Sequence, residues 1–129
     1  MGHSEYSFSK KEKLTGKKKI EELFRSGSSF YLDAFQVKYR SGSSEEFNHR
    51  LLITVPKKNF KRAVDRNLLK RRIREAYRLN KKFLLREDQN EFFYIAFIYL
   101  SKNILTFNEI EDQLIACLKR LGNVIETKK

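Results

Sequence analysis

The sequence predicts an α+β fold in a single domain. Three observations carry that expectation: apolar residues recur at helical spacing in three separated stretches, β-type runs lie between them, and no repeat or long Gly/Ser- or Pro-rich linker interrupts the 129 residues. A chain of this length buries one modest core, and 11 Phe with 6 Tyr supply bulky material for it. With 40% hydrophobic and 34% charged residues, the composition is that of a folded protein with a highly charged surface.

Residues 1–13 are polar and lysine-containing without a period, which predicts a flexible basic N-terminal extension. No apolar h-region follows their charges, so export is unsupported and a cytoplasmic location is expected. Ile20, Leu23 and Phe24 have helical spacing before Ser26-Gly27, predicting a helix over about 16–26. Phe35, Val37 and Tyr39 alternate with Gln36, Lys38 and Arg40, and RLLITV at 50–55 is a second β-rich run. The Ser-Gly-Ser-Ser loop from Ser41 lies between the two, and they are expected to pair as antiparallel strands. Pro56 closes the second run, where its missing N–H is tolerated. The run at 92–99 is bounded by Asp88-Gln89-Asn90 and Ser101-Lys102-Asn103, and its length and aromatic content predict a central strand. Even extended to Leu100 it is far short of the roughly 20 residues a membrane span needs.

Thr106 to Glu109 has capping-box form, after which Ile110, Leu114, Cys117, Leu118 and Leu121 share one helical face. A final helix packed on the sheet is expected to stop at Gly122, leaving 123–129 as a tail. Cys117, the one cysteine, falls on the apolar face and reads as a buried, inert thiol.

The formal charge of +12 and pI near 9.9 make polyanions the natural partners, either nucleic acid or an anionic membrane. Residues 57–82 hold twelve of the 28 basic residues and two of the 16 acidic ones, Asp65 and Glu75. On a helix, Asn67, Lys70, Arg71, Arg74 and Arg78 occupy one arc of roughly 100° flanked by Arg66, while Leu69, Ile73, Ala76 and Tyr77 face the opposite side. Solvated faces usually mix signs at i,i+4, yet Arg66, Lys70, Arg74 and Arg78 repeat one sign, at a cost of a few tenths of a kcal/mol per pair. That repulsion is relieved by a polyanion, so phosphate contact is the expected role. Arginine suits bidentate phosphate contacts and base stacking, whereas Lys57, Lys58 and Lys61 act as mobile point charges.

No catalytic set accompanies this surface. His3 and His49 fit no motif with Cys117 or a serine, and Gly-rich phosphate loops, metal-ligand spacings and HExxH are missing from the sequence. The acidic clusters Glu45-Glu46, Glu87-Asp88 and Glu109-Glu111-Asp112 read as loop solvation and helix capping. A DNA-binding regulator would need a second helix and short turn just before the basic helix, but VPKKNFKRAV reads as strand then loop. A membrane-surface role would need an exposed apolar face, which disappears once Leu69 and Ile73 enter the core.

At RNLLKRRIREAYR (Arg66–Arg78), preceded by VPKKNFKRAVD, the chain resembles the protein subunit of bacterial ribonuclease P. The resemblance extends from about Leu14 to Leu121 and includes the order of elements: a short helix ending Leu23-Phe24 to Gly27, strands, a Lys-Lys loop and an Arg-Asn helix. It implies an αβββαβα two-layer sandwich with a mixed sheet and a left-handed βαβ crossover, related to a domain of ribosomal proteins. It also implies a function, in which the protein joins a catalytic RNA that removes the 5′ leader of precursor transfer RNA, with Mg²⁺ bound mainly by the RNA. The expected partners are ribonuclease P RNA and precursor transfer RNA, with the free protein monomeric. A ribosomal protein or RNA chaperone without a processing role is the alternative, since it shares fold and charge.

Residue by residue, Lys57 and Lys58 match the family's loop lysines, and Lys70, Arg71 and Arg74 match its helix cations. With Lys61, Arg62, Arg66, Asn67 and Arg78 they make up the expected RNA-binding set. The family's signature Arg-Asn-Arg is met by Arg66 and Asn67, while Leu68 stands at the third position and Arg72, one turn on, is the residue placed to stand in for it. The resemblance further implies a cleft for the single-stranded leader between the first helix and the sheet. Phe24 matches an apolar wall position, Ile20 stands where an aromatic is common, and Gln36 and Lys38 form the floor. Lys38 replaces a frequent tyrosine, which implies leader binding with more charge and less stacking.

Overall fold

The computed structural model describes residues 10–84 and 91–127. In chain order the elements are α1 (Lys17–Ser26), β1 (Ser28–Leu32), β2 (Phe35–Ser41), β3 (Arg50–Thr54), α2 (Ala63–Asn80), β4 (Phe93–Tyr99) and α3 (Phe107–Thr127). Short 3₁₀ turns lie before α1 at Lys10–Glu12 and after α2 at Lys81–Phe83.

The sheet is built around its most apolar strand. All seven residues of β4 are buried, the pattern of a strand covered on both faces, and the strand order is β1-β2-β4-β3. β4 runs antiparallel to β2 and parallel to β3, making the sheet mixed. The expected antiparallel pairing of the 35–40 and 50–55 strands is therefore wrong, because β4 lies between them. The physical reason is burial: β2 and β3 each have a half-exposed face and can lie to either side of β4, whereas β4 needs cover on both faces and neighbours at both edges. The parallel β3–β4 pair requires a long crossover, and α2 supplies it.

The residue pattern shows two strands before α2 where the resemblance implies three. The third is β1, in which Phe30 is the one buried residue. It pairs with β2 across Asp33-Ala34, with Asp33 at φ 51°.

One face of the sheet carries the main core: Phe35, Val37, Leu51, Ile95 and Phe97 against Leu69, Ile73 and Tyr77 of α2 and Ile110, Leu114 and Leu118 of α3. Burying an aliphatic or aromatic side chain of this size contributes roughly 1.5–3 kcal/mol. On the other face α1 covers a smaller cluster of Leu14, Leu23, Tyr94 and Ala96. Gly27 lets the chain turn closely from α1 into β1, since a Cβ there would lie 2.5 Å from the Leu23 carbonyl oxygen. Arg40 ties α1 to β2, donating to Ser26 Oγ at 2.8 Å and lying 3.6 Å from the Glu22 carboxylate.

The capping box forms as expected: Glu109 N–H donates to Thr106 Oγ1 at 3.2 Å, and Thr106 N–H donates to Glu109 Oε1 at 3.1 Å. Helix α3 does not stop at Gly122. It continues to Thr127 because Ile125, one turn beyond Leu121, extends the buried stripe. Gly122 instead answers close packing, since a Cβ there would sit 3.1 Å from the Phe83 carbonyl oxygen.

The expected flexible extension is corrected for residues 10–13, while residues 1–9 lie outside the described residues. Glu12 reaches Lys81 at 2.7 Å, and Leu14 N–H donates to the Leu51 carbonyl at 2.7 Å. Both members of the Glu12–Lys81 pair are buried. Its two halves lie 69 residues apart in the chain, beyond the reach of any local pattern.

Candidate nucleic-acid interface

Helix α2 separates its residues as its periodicity predicts. Leu69, Ile73, Ala76 and Tyr77 are buried, while Asn67, Arg71 and Arg74 are exposed and Lys70 is half-buried. The preceding loop is pinned by Phe60, buried with its ring 6.0 Å from that of Tyr99. Pinned there, the loop holds Lys57, Lys58 and Lys61 outward, all exposed. Arg66 Nη1 donates to the Phe60 and Lys61 carbonyls at 2.7 and 2.9 Å, locking loop to helix.

The expected RNA-binding residues thus divide into two groups. Among the described residues, the side chains of Lys57, Lys58, Lys61, Arg62, Asn67, Lys70, Arg71 and Arg74 have no hydrogen bond or ion pair within the protein. Arg66 is engaged by the loop carbonyls, and Arg78 by an ion pair with Glu75. Arg72 is turned away from the cationic face: its Nη1 donates to the Leu105 carbonyl at 2.6 Å. It ties α2 to the β4–α3 connection and does not stand in for the arginine that Leu68 replaces. A cluster of unpaired cations at i,i+4 spacing is destabilising on its own, and a phosphate backbone neutralises it.

A second feature lies between α1 and the sheet. Phe24 is half-exposed, and the Lys38 ammonium stands 5.6 Å from its ring centroid, a cation–π contact worth about 0.5–1 kcal/mol at an exposed site. The two expected cleft residues therefore meet. Ile20 packs instead against the small cluster around Leu23 and Tyr94, which makes it more support than wall. Gln36 lies one step along the floor, paired with Tyr31 of β1 and Ile98 of β4. Tyr31 is 65% exposed and was missed by sequence reasoning because β1 was missed. The signal was the alternation Phe30 in, Tyr31 out. It places an aromatic beside Gln36.

The N-terminal half of α1 is held by Glu46. Its carboxylate accepts from Arg50 Nε at 2.6 Å and Tyr94 Oη at 2.8 Å, and Lys19 stands 3.8 Å away. Burial pushes this carboxyl up, but the hydrogen bonds from Arg50 and Tyr94, with the charges of Arg50 and Lys19, outweigh it and hold the pKa below the ordinary carboxylate value.

Among the described residues, the one histidine and the one cysteine are absorbed by the fold. His49 is buried and its Nδ1 accepts from Phe93 N–H at 3.0 Å. Burial, reinforced by the charge of Asp33, pushes the Cys117 thiol up to about 12. Among the described residues no group of three or more His, Cys, Asp or Glu is placed to hold a metal ion, and no helix is long and apolar enough to cross a membrane. The surface is equipped to bind and position a polyanion.

The family model described as Ribonuclease P matches residues 8–122. The chain belongs to the ribonuclease P protein family. The ribonuclease P protein component of Porphyromonas gingivalis is 37% identical over 123 residues, covering 92% of this chain and 90% of that one. The component of Nitrosococcus oceani is 32% identical over 116 residues, covering 90% and 88%. Among solved structures, the RNase P protein from Thermotoga maritima superposes with a TM-score of 0.69 at 29% identity, over 84% of this chain and 96% of its own. That of Staphylococcus aureus gives 0.65 at 26% identity, over 84% and 94%. Membership in the ribonuclease P protein family makes the chain a component of a ribonuclease of transfer-RNA 5′-end processing. None of the relatives named above is a ribosomal protein.

Proposed function

We propose that this ribonuclease P protein supplies binding and alignment while its partner RNA carries out the hydrolysis. The unpaired cations of the 57–62 loop and α2 contact the catalytic RNA, and the α1–sheet cleft with Phe24, Lys38, Gln36 and Tyr31 receives the 5′ leader of precursor transfer RNA. Mg²⁺ is held mainly by the RNA. The protein acts in the cytoplasm and is monomeric apart from its RNA. The observation that carries this reading is the concentration of partnerless cations on one side of the β3–α2 unit.

The test is cleavage of 5′-labelled precursor transfer RNA by ribonuclease P RNA at low Mg²⁺, with and without the protein. Wild type restores leader removal, and none occurs when the catalytic RNA is left out. The Lys57→Ala/Lys58→Ala/Arg71→Ala protein binds the RNA more weakly, with a salt slope reduced by about one for every phosphate it no longer neutralises. RNA binding that never promotes cleavage would refute the processing role.

A further inference from the structure

A cleft of about 210 Å³ opens along α2 at the β3 edge of the sheet. Three elements wall it: Lys13 and Thr15 from the docked N-terminal segment, Leu52 and Ile53 from β3, and Lys70 and Arg74 from α2. The N-terminal segment pairs with β3 at a single bridge, Lys13 to Leu51, sealed by Leu14 N–H donating to the Leu51 carbonyl. In a strand the N–H and C=O of one residue point to the same side and alternate along the chain. Those of Ile53 therefore point off the same edge as the Leu51 carbonyl, just beyond the bridge.

The cleft thus combines a main-chain donor and acceptor, an apolar floor, and three cations with no carboxylate in its lining. Its volume lies below the roughly 300–1,000 Å³ of pockets for drug-sized ligands, enough for one heterocycle. A bare hydrated phosphate has no use for the apolar floor. A base-paired helix cannot reach into so small a recess, whereas unpaired RNA bases are splayed out and read along their edges.

We propose that this cleft takes one unpaired nucleotide of the partner RNA, its base edge on the Ile53 main chain and its phosphate between Lys70 and Arg74. The proposal rests on the RNA-binding role above and extends it to the N-terminal segment. That segment is a fixed wall because Glu12 and Lys81 form their buried ion pair behind it. Lys81 stands at the C-terminal end of α2, where the helix dipole favours a cation. Burying such a pair gains little stability over apolar packing, but it fixes the position of Lys13 and Thr15 relative to α2.

Thr15 is exposed at the rim, so Thr15→Trp fills the recess without entering the core, and Thr15→Ser leaves it open. Base-specific chemical probing of ribonuclease P RNA is compared with wild type and each variant bound at saturation, alongside melting temperatures. Wild type and Thr15→Ser protect at least one unpaired base that Thr15→Trp leaves reactive, and Thr15→Trp binds about tenfold more weakly, the scale of a single base–protein interaction. Identical protection by wild type and Thr15→Trp overturns the cleft assignment while leaving the RNA-binding role intact. A wild-type protein that does not bind the RNA overturns both.

Discussion

Cations do two different kinds of work in this protein, and the contrast between the outer face of α2 and the supports around the N-terminal segment and α1 makes the division plain. On α2 and its loop, Lys57, Lys58, Arg71 and Arg74 have no protein partner. Around the N-terminal segment and α1, Lys81 is buried against Glu12, and Arg50 and Lys19 converge on Glu46. The first group is the one proposed to meet a polyanion, and its like charges repel one another in the free protein. The second positions the walls of the two clefts. Composition counts all of them equally toward the charge of +12.

The largest difference should come from removing one partner of the buried pair. Glu12→Ala takes the carboxylate away from the buried Lys81 ammonium, an expected loss of about 3 kcal/mol in denaturant unfolding. Arg71→Ala stays within about 0.5 kcal/mol of wild type while weakening RNA binding. Equal destabilisation by the two substitutions would erase the distinction.

A smaller effect separates the groups by pH. The Glu46 carboxyl is held below its ordinary value, so its network stabilises the fold fully above the unfolded carboxylate pKa of about 4.3 and loses that contribution as pH falls through the lowered folded value. The melting-temperature advantage of wild type over Glu46→Gln is therefore present at neutral pH and shrinks below about pH 4. An advantage that grows on acidification would contradict the assigned direction.

The smallest effect sharpens the leader cleft. Lys38→Tyr exchanges the cation over Phe24 for a second aromatic and should make binding of a single-stranded leader less dependent on salt, by a slope of roughly one. Titration of a labelled leader oligonucleotide at several salt concentrations reads it directly. An unchanged slope would remove Lys38 from the leader path.

How much of the molecule was legible in its sequence depended on distance along the chain. Both faces of α2, the capping box at Thr106 and Glu109, and the central place of the 92–99 strand follow from spacings within a few residues, and each formed as read. The resemblance carried by Arg66–Arg78 and the preceding lysines led to the right family from sequence alone. What tertiary structure decided was every pairing across long separations: β4 between β2 and β3, Glu12 on Lys81, Arg72 on Leu105, and Gly122 against the Phe83 carbonyl. The physical reason is that periodicity records which side of an element is dry but not which element covers it. A charged residue likewise looks the same in sequence whether its partner is a buried carboxylate or a phosphate outside the chain.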